Sequence, residues 1–282
     1  MSSVPYDVIA ASKPFRFLVG PDKKEFFMHT ELIARISMPL SALVNGEWKE
    51  SLEGVVELPE TDEKTFVRFC EFAYTGDYKA AEPPVLPKVE KSSIDSSQGL
   101  NKKKKKKRYA EQATADFGLG SFPAPPPSPP PPLPPGRDSM WKEFMDGIND
   151  GLDKSQKDSS NIGPSANCSE VLLCHAQLYV FADCYAIYDL MRLCTQRLRC
   201  ALGSFDLHSG GELNQARVAD VVQLIDLLFR NTRGKDEVRG LLATYMACKV
   251  EDLWTNTYFH NVLESSGEVS KALIGQLMRR LN

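Results

Sequence analysis

Apolar residues fall into short alternating runs, then into helical repeats, along the first part of the chain. Two short apolar runs flank Gly20-Pro21-Asp22 and predict a β-hairpin, since such a cluster supplies the turn between paired strands. Leu32, Ile33, Ile36, Leu40, Leu43 and Val44 then recur at helical spacing. Val55 to Leu58, bounded by Gly54 and Pro59, predicts a third strand. Asp62 is placed to cap a helix whose inner face is Phe66, Phe69, Cys70 and Ala73, and Gly76 stands where a helix C-terminus favours glycine. Ahead of these elements, residues 1–14 form a short polar arm whose Val4, Tyr6, Val8 and Ile9 fit an extra strand or turn.

Every pattern breaks over residues 80–169. Lysines 102 to 107 run into Arg108, a proline run extends from Pro123 to Pro135, and Ser, Asp, Gly and Lys make up much of the rest. Such composition buries too little apolar surface to offset the entropy of ordering, so disorder is expected there. Within it, Met140, Trp141, Phe144, Met145 and Ile148 fit one or two transient amphipathic turns. The helical pattern returns with Leu172, Ala176, Tyr179, Val180 and Ala182, with Ser169 or Asn167 as cap. A break near Ala186-Ile187 leads to a second helix carrying Leu190, Leu193, Cys194, Leu198 and Leu202 and ending at Gly203. Residues 212–282 read as four helices. Val218 to Phe229 line the first and Val238 to Met246 the second, with Gly234 between them; Leu253 to Leu263 mark a short third, and Val269, Leu273, Leu277 and Leu281 an amphipathic fourth.

Composition narrows the class. With 282 residues, 42% hydrophobic and 25% charged, the chain is an ordinary globular sequence of one or two domains. A net charge of −3 gives no general affinity for nucleic acid. No run of 18 or more apolar residues occurs, so no membrane-spanning helix is expected, and the first residues lack a secretory pattern. The 7 cysteines are odd in number and several sit at apolar helical positions, so they read as reduced thiols of a cytosolic or nuclear protein.

Four blocks resemble the BTB (POZ) domain: Phe27-x-His29, Leu32-x-x-Arg35-x-Ser37, Leu58-Pro59-Glu60, and Phe66 through Tyr74-Thr75-Gly76-Asp77-Tyr78. A fifth, His175-Ala-x-x-Tyr179-x-x-Ala182-Asp183-x-Tyr185, resembles the start of the last helix pair of that domain. The wording is most similar to BTB proteins of filamentous fungi. Residues 15–79 and 170–204 together make about one domain of ~100 residues. The segment 80–169 is then an insertion inside a split domain, tolerable because closure entropy grows only logarithmically with loop length. The fold class expected is therefore α+β: a BTB/POZ fold with a small three-stranded sheet capped by helices, a long disordered insertion, and an all-α extension over 212–282.

The resemblance implies protein–protein interaction without catalysis. Many BTB adaptors dock a cullin through a hydrophobic-x-Glu triplet after the second core helix, and Trp48-Lys49-Glu50 stands there, with Trp where relatives carry Met or Leu. An apolar side chain would fill a groove on the partner while the carboxylate fixes register. The competing reading packs Trp48 on its own domain and leaves Glu50 as a solvated turn charge. In dimer-forming relatives an acid and a base sit where this chain has Pro14 and Thr30, so the resemblance gives a homodimer no support. His29 is expected to hydrogen-bond near the start of the first helix rather than bind metal.

Other features carry their own readings. Lys102, Lys103, Lys104, Lys105, Lys106, Lys107 and Arg108 fit a nuclear import run or an anionic-surface patch, and equally a solvated charged loop. Few aromatics interleave them, so no specific nucleic-acid site is expected. Pro132, Pro135 and Arg137 fit a polyproline ligand of an SH3 or WW-type domain, and equally an inert stiff spacer; Ser128-Pro129 is a low-specificity phosphorylation signal. Catalytic motifs are missing. Cys174 and His175 are neighbours on one helix and should diverge rather than form a dyad, and Cys174, Cys184, Cys194 and Cys200 match no zinc spacing. No enzyme, cofactor or metal is expected. Two functions compete: a substrate adaptor for a cullin-based ubiquitin ligase, and an interaction scaffold, nuclear or transcription-related, with no ligase role. Location is nucleus or cytoplasm.

Overall fold

The hairpin forms where alternation placed it. Strands β1 (Pro14–Val19) and β2 (Lys24–His29) pair antiparallel, with Phe15 opposite Met28 and Phe17 opposite Phe26. Gly20 turns the chain at φ 74°, in the left-handed region that favours glycine. Phe15, Phe17 and Val19 face inward while Arg16 points to solvent. Strand β3 (Val55–Leu58) lies parallel to β1, giving a mixed sheet in the order β2-β1-β3. Parallel pairing requires a crossover, here made of helices. In the computed structural model the described residues are 5–81, 135–149, 169–204, 207, 212–234 and 236–281. All of them fall in one compact unit that is mostly helical beside this sheet. Readings that concern the lysine run, Ser128-Pro129 and Pro132, and the disorder expected over 82–134 and 150–168, lie outside the described residues.

The crossover is broken where a single helical pattern was expected. Helix α2 (Thr30–Ile36) stops at Ser37, whose backbone is extended, and α3 (Met38–Asn45) begins beyond it. Pro39 explains the break. It has no N–H, and an unbroken helix would drive its ring into the carbonyl of Arg35. Ser37 caps α3 instead, its Oγ accepting from Leu40 N at 3.2 Å. A short α4 (Lys49–Glu53) precedes β3. Helix α5 (Glu63–Thr75) matches its expected caps: Asp62 accepts from the amides of Lys64 and Thr65, and Gly76 at φ 78° closes the C-terminus onto Phe72 O. His29 does not bond the start of α2 as expected. Its Nδ1 lies 2.8 Å from Tyr74 Oη at the end of α5.

After α6 (Pro135–Asn149), helices α7 (Ser169–Cys184) and α8 (Tyr188–Ser204) follow, separated by a turn in which Ala186 takes φ 50°. Phe181 of α7 packs on Phe66 and Phe69 of α5 at ring-centroid distances of 6.2 and 4.9 Å. The C-terminal part comprises α9 (Glu212–Asn231), α10 (Glu237–Cys248), α11 (Val250–Leu253), α12 (Thr257–Ser265) and α13 (Gly267–Leu281). The short third helix expected over Leu253 to Leu263 is thus two pieces. Asn256 divides them by capping α12 through its Oδ1, which accepts from Tyr258 N at 2.8 Å. One continuous apolar cluster runs from the sheet through α7 and α9 to α13. Among the described residues no helix is long and apolar enough to cross a membrane.

Two expectations are corrected. Residues Tyr6–Ala11 form a short helix, α1, not a strand; only Ile9 is buried, and Ser12 Oγ accepts from Glu31 N to tie the arm to α2. Residues Pro135–Asn149, expected inside a disordered insertion, form a helix, α6, docked on the core. Phe144 and Met140 are buried and Trp141 stacks on Phe144 at 5.2 Å, burial supplied by α8, α10 and α13 rather than by local propensity. The six described cysteines are free thiols.

Candidate functional site

Helix α4 is held against α3 by a clasp. Ser51 Oγ donates to Val44 O at 3.0 Å, and Leu52 N donates to Trp48 O at 3.1 Å. Gly46 ends α3 at a point where a Cβ would lie 2.3 Å from Ala42 O and 2.9 Å from Trp48 Cδ1, so only glycine lets the chain turn there beneath the indole. The clasp leaves Trp48 67% exposed just before α4, and Leu52, four residues on and so on the same face, 80% exposed. Glu50 is half-buried in the first turn, where a carboxylate is favoured by the helix dipole. Met38, at the start of α3, is 85% exposed. An exposed tryptophan beside an exposed leucine is an apolar surface that water solvates poorly. Trp48 therefore does not pack away on its own domain, the alternative the sequence left open.

A second cluster joins the chain before α6 to the helices after it. Tyr78, buried, places its Oη 2.8 Å from His175 Nδ1 and 3.4 Å from Cys194 Sγ. Arg197 of α8 donates to Tyr78 O and Asp77 Oδ1 and stacks its guanidinium 4.2 Å over the Tyr78 ring. Ala81 N donates to Cys174 Sγ at 3.3 Å. Cys174 Sγ also reaches 3.8 Å from His175 Nδ1, so these neighbours do touch, contrary to the divergence expected of adjacent helix positions. They do not make an activated nucleophile. The Cys174 thiol donates to Val171 O, and burial pushes its pKa up, as it pushes Cys194 to about 12. Burial, with Arg197 and Arg68 nearby, lowers His175 to about 3. The cluster is an internally bonded joint in which Tyr78, His175 and the cysteines are uncharged and Arg197 is paired with Asp77.

That pKa predicts a pH dependence. His175 is neutral when folded and takes up a proton near pH 6.5 once unfolded, so the unfolded state binds more protons below that pH. Stability present above pH ~6.5 is lost as pH falls toward 3, at about 1.4 kcal/mol per pH unit. Denaturant titrations at pH 6.5 and 5 should differ by about 2 kcal/mol through His175 in the natural chain. In His175→Gln that difference should largely vanish.

Pro135 is the first residue of α6, and Arg137 is on that helix with its side chain 13% exposed; its Nε donates to Cys248 O at 3.1 Å. Both are helical rather than in the extended conformation an SH3 ligand adopts, which is a correction to that reading. Pro14 opens β1 opposite His29, and Thr30 donates to Lys13 O at 2.6 Å. Among the described residues no group of three or more His, Cys, Asp or Glu side chains is placed to hold a metal ion. A cavity of about 540 Å³ lies between the β3–α5 turn, the end of α7 and α9, and on its rim Asp62 is engaged as the α5 cap and Glu57 by Lys23. Sequence reasoning missed the Arg197 joint. Its signal was a charged residue three positions from Cys194 and one from Leu198, inside an otherwise apolar helix face. No family model matches the chain, and no curated protein matches it.

Proposed function

We propose that this chain is a protein-interaction module of the BTB (POZ) type, and that it acts as a substrate adaptor by docking a cullin scaffold through Trp48 and Glu50. The reading rests on the residue blocks that resemble the family and on a small mixed sheet crossed over by helices. The observation that carries it is the exposure of Trp48, capping the start of α4, and of Leu52 one turn on, with Glu50 in the same turn. An exposed aromatic anchor beside a carboxylate that can accept charge-assisted hydrogen bonds is the chemistry of an interface hot spot.

Calorimetric titration of the full chain with the N-terminal domain of a BTB-binding cullin tests this. Micromolar binding is expected. Trp48→Ala should weaken it by about 30-fold, the equivalent of ~2 kcal/mol for a buried aromatic anchor, and Glu50→Ala by about tenfold. Neither substitution touches the core, so thermal unfolding should stay within about 1 °C of the natural chain. Binding that is unchanged in both variants, or no heat at high concentration, overturns the cullin reading. What is left in that case is an interaction scaffold with no ligase role, in the nucleus or cytoplasm.

A further inference from the structure

Helix α6 is bound to its own chain in the way a peptide is bound to a receptor. It is separated from α5 by residues 76–134 and from α7 by residues 150–168, and neither is among its main packing partners. Its contacts are with α8, α10 and α13, which lie dozens of residues or more away in sequence. One face enters the groove between them: Met140 and Phe144 are buried, with Trp141, Met145 and Ile148 alongside at helical spacing. The groove supplies polar anchors as well. Gln196 Nε2 donates to Gly147 O at 2.8 Å and to Ile148 O at 3.2 Å, and Arg199 donates to Phe144 O at 3.3 Å. Carbonyls in the last turn of a helix have no partner of their own, so Gln196 reads the helix end itself, while Arg199 adds a bond one turn earlier. Lys249 Nζ sits 4.6 Å over the Trp141 ring, Arg199 lies 5.5 Å over Phe144, and Arg279 pairs with Glu143 at 3.2 Å.

The fit is selective at one further point. A Cβ on Gly136 would stand 2.0 Å from Arg280 O, a backbone atom that cannot swing aside. A helix that extends this far along the groove therefore needs glycine two turns and more before the buried aromatic, the spacing from Gly136 to Phe144.

The geometry points to a helix-receptor site on α8, α10 and α13 that α6 occupies in cis. A partner protein takes it with an amphipathic helix of the same pattern: glycine, then Met-Trp, then Phe three residues after the Trp, with an acid facing Arg279. The site is separate from the Trp48 surface and does not depend on the cullin reading. Helix-in-groove recognition of this kind is read by anchors at i, i+3, i+4 and i+7. Release of α6 would uncover the groove while leaving the α5–α7 and α7–α8 packing in place.

The test uses a fluorescein-labelled synthetic peptide of residues 135–149 and the full chain. In the unmodified chain, α6 amides should exchange hydrogen at least tenfold faster than those of α10, because α6 undocks without global unfolding. A Gly136→Ala chain keeps every groove side chain and has better intrinsic helicity in α6, since alanine is the stronger helix former. It should nevertheless bind the natural peptide at least tenfold more tightly than the unmodified chain does, because its own α6 no longer seats. A peptide carrying Trp141→Ala and Phe144→Ala should not bind either chain. Equal exchange rates for α6 and α10 in the unmodified chain overturn the proposal whether or not the variant folds. So does a folded Gly136→Ala chain that leaves the peptide unbound. Copies that trade α6 helices into dimers on mixing would assign the groove to a second copy and overturn the partner reading.

Discussion

Phe66→Ala is expected to destabilise the protein by about 3–5 kcal/mol, the range for deleting a fully buried phenylalanine. Phe66 is where the sheet, α5 and α7 meet. Its ring lies 5.0 Å from Phe17 of β1, 5.2 Å from Phe26 of β2, 5.6 Å from Phe69 and 6.2 Å from Phe181 of α7. Each neighbour is itself held by a separate element, so the cavity cannot close by one side chain swinging in, and the loss sits toward the upper end of that range. Phe66→Leu keeps most of the volume and should cost about half as much. Guanidinium denaturation followed by circular dichroism measures both. A Phe66→Ala loss below about 1 kcal/mol would show that this aromatic cluster is not the centre of the fold.

Arg197→Met is expected to cost about 3 kcal/mol. Methionine preserves the aliphatic stem and most of the volume, so the loss isolates the guanidinium. That group bonds Tyr78 O and Asp77 Oδ1 and covers the Tyr78 ring. Without it, a buried carbonyl loses its donor, which is the costly half of breaking a hydrogen bond. Asp77→Asn should cost only about 1 kcal/mol or less, because the Asp77 side chain is 43% exposed and water replaces the lost partner. The order of the two losses is the check. If Asp77→Asn costs as much as Arg197→Met, the ion pair rather than the capture of Tyr78 holds the joint. The same denaturant series resolves them.

Much of the N-terminal part was legible because local signals and tertiary structure agree there. Gly20, Gly54 and Gly76 all take positive φ at the ends of elements they were expected to terminate, and Asp62 caps as its position implied. Apolar spacing runs straight through Ser37 and does not mark the division of α2 from α3; the family resemblance implied a second helix before Trp48, and Pro39, read as a steric block, is the local signal that places the break. Helix α6 was legible only as transient amphipathic turns at Met140, Trp141, Phe144, Met145 and Ile148, not as an ordered, docked helix, for a different reason. Its Gly136, Gly147 and neighbouring prolines argue against a helix, and its stability comes from α8, α10 and α13, which lie far off in sequence. Of the candidate site, Trp48 and Glu50 were identified by resemblance, but the exposure of Leu52 and Met38 beside and before them had no signal in the sequence. The Tyr78–His175–Arg197 joint depends on side chains about a hundred residues apart meeting in space, which no local pattern encodes.

The packing of Phe181 on Phe66 and Phe69 has a consequence for how the chain is made. A ribosome adding roughly 5–20 residues per second releases the sheet, α2, α3 and α5 well before α7. For about ten seconds at those rates the aromatic face of α5 has no helix to cover it. Everything translated between Gly76 and Ser169 lengthens that wait. A nascent chain stalled within this interval presents Phe66 and Phe69 to whatever is near, which makes synthesis, rather than the finished fold, the stage at which this protein is most exposed to aggregation and to capture by chaperones.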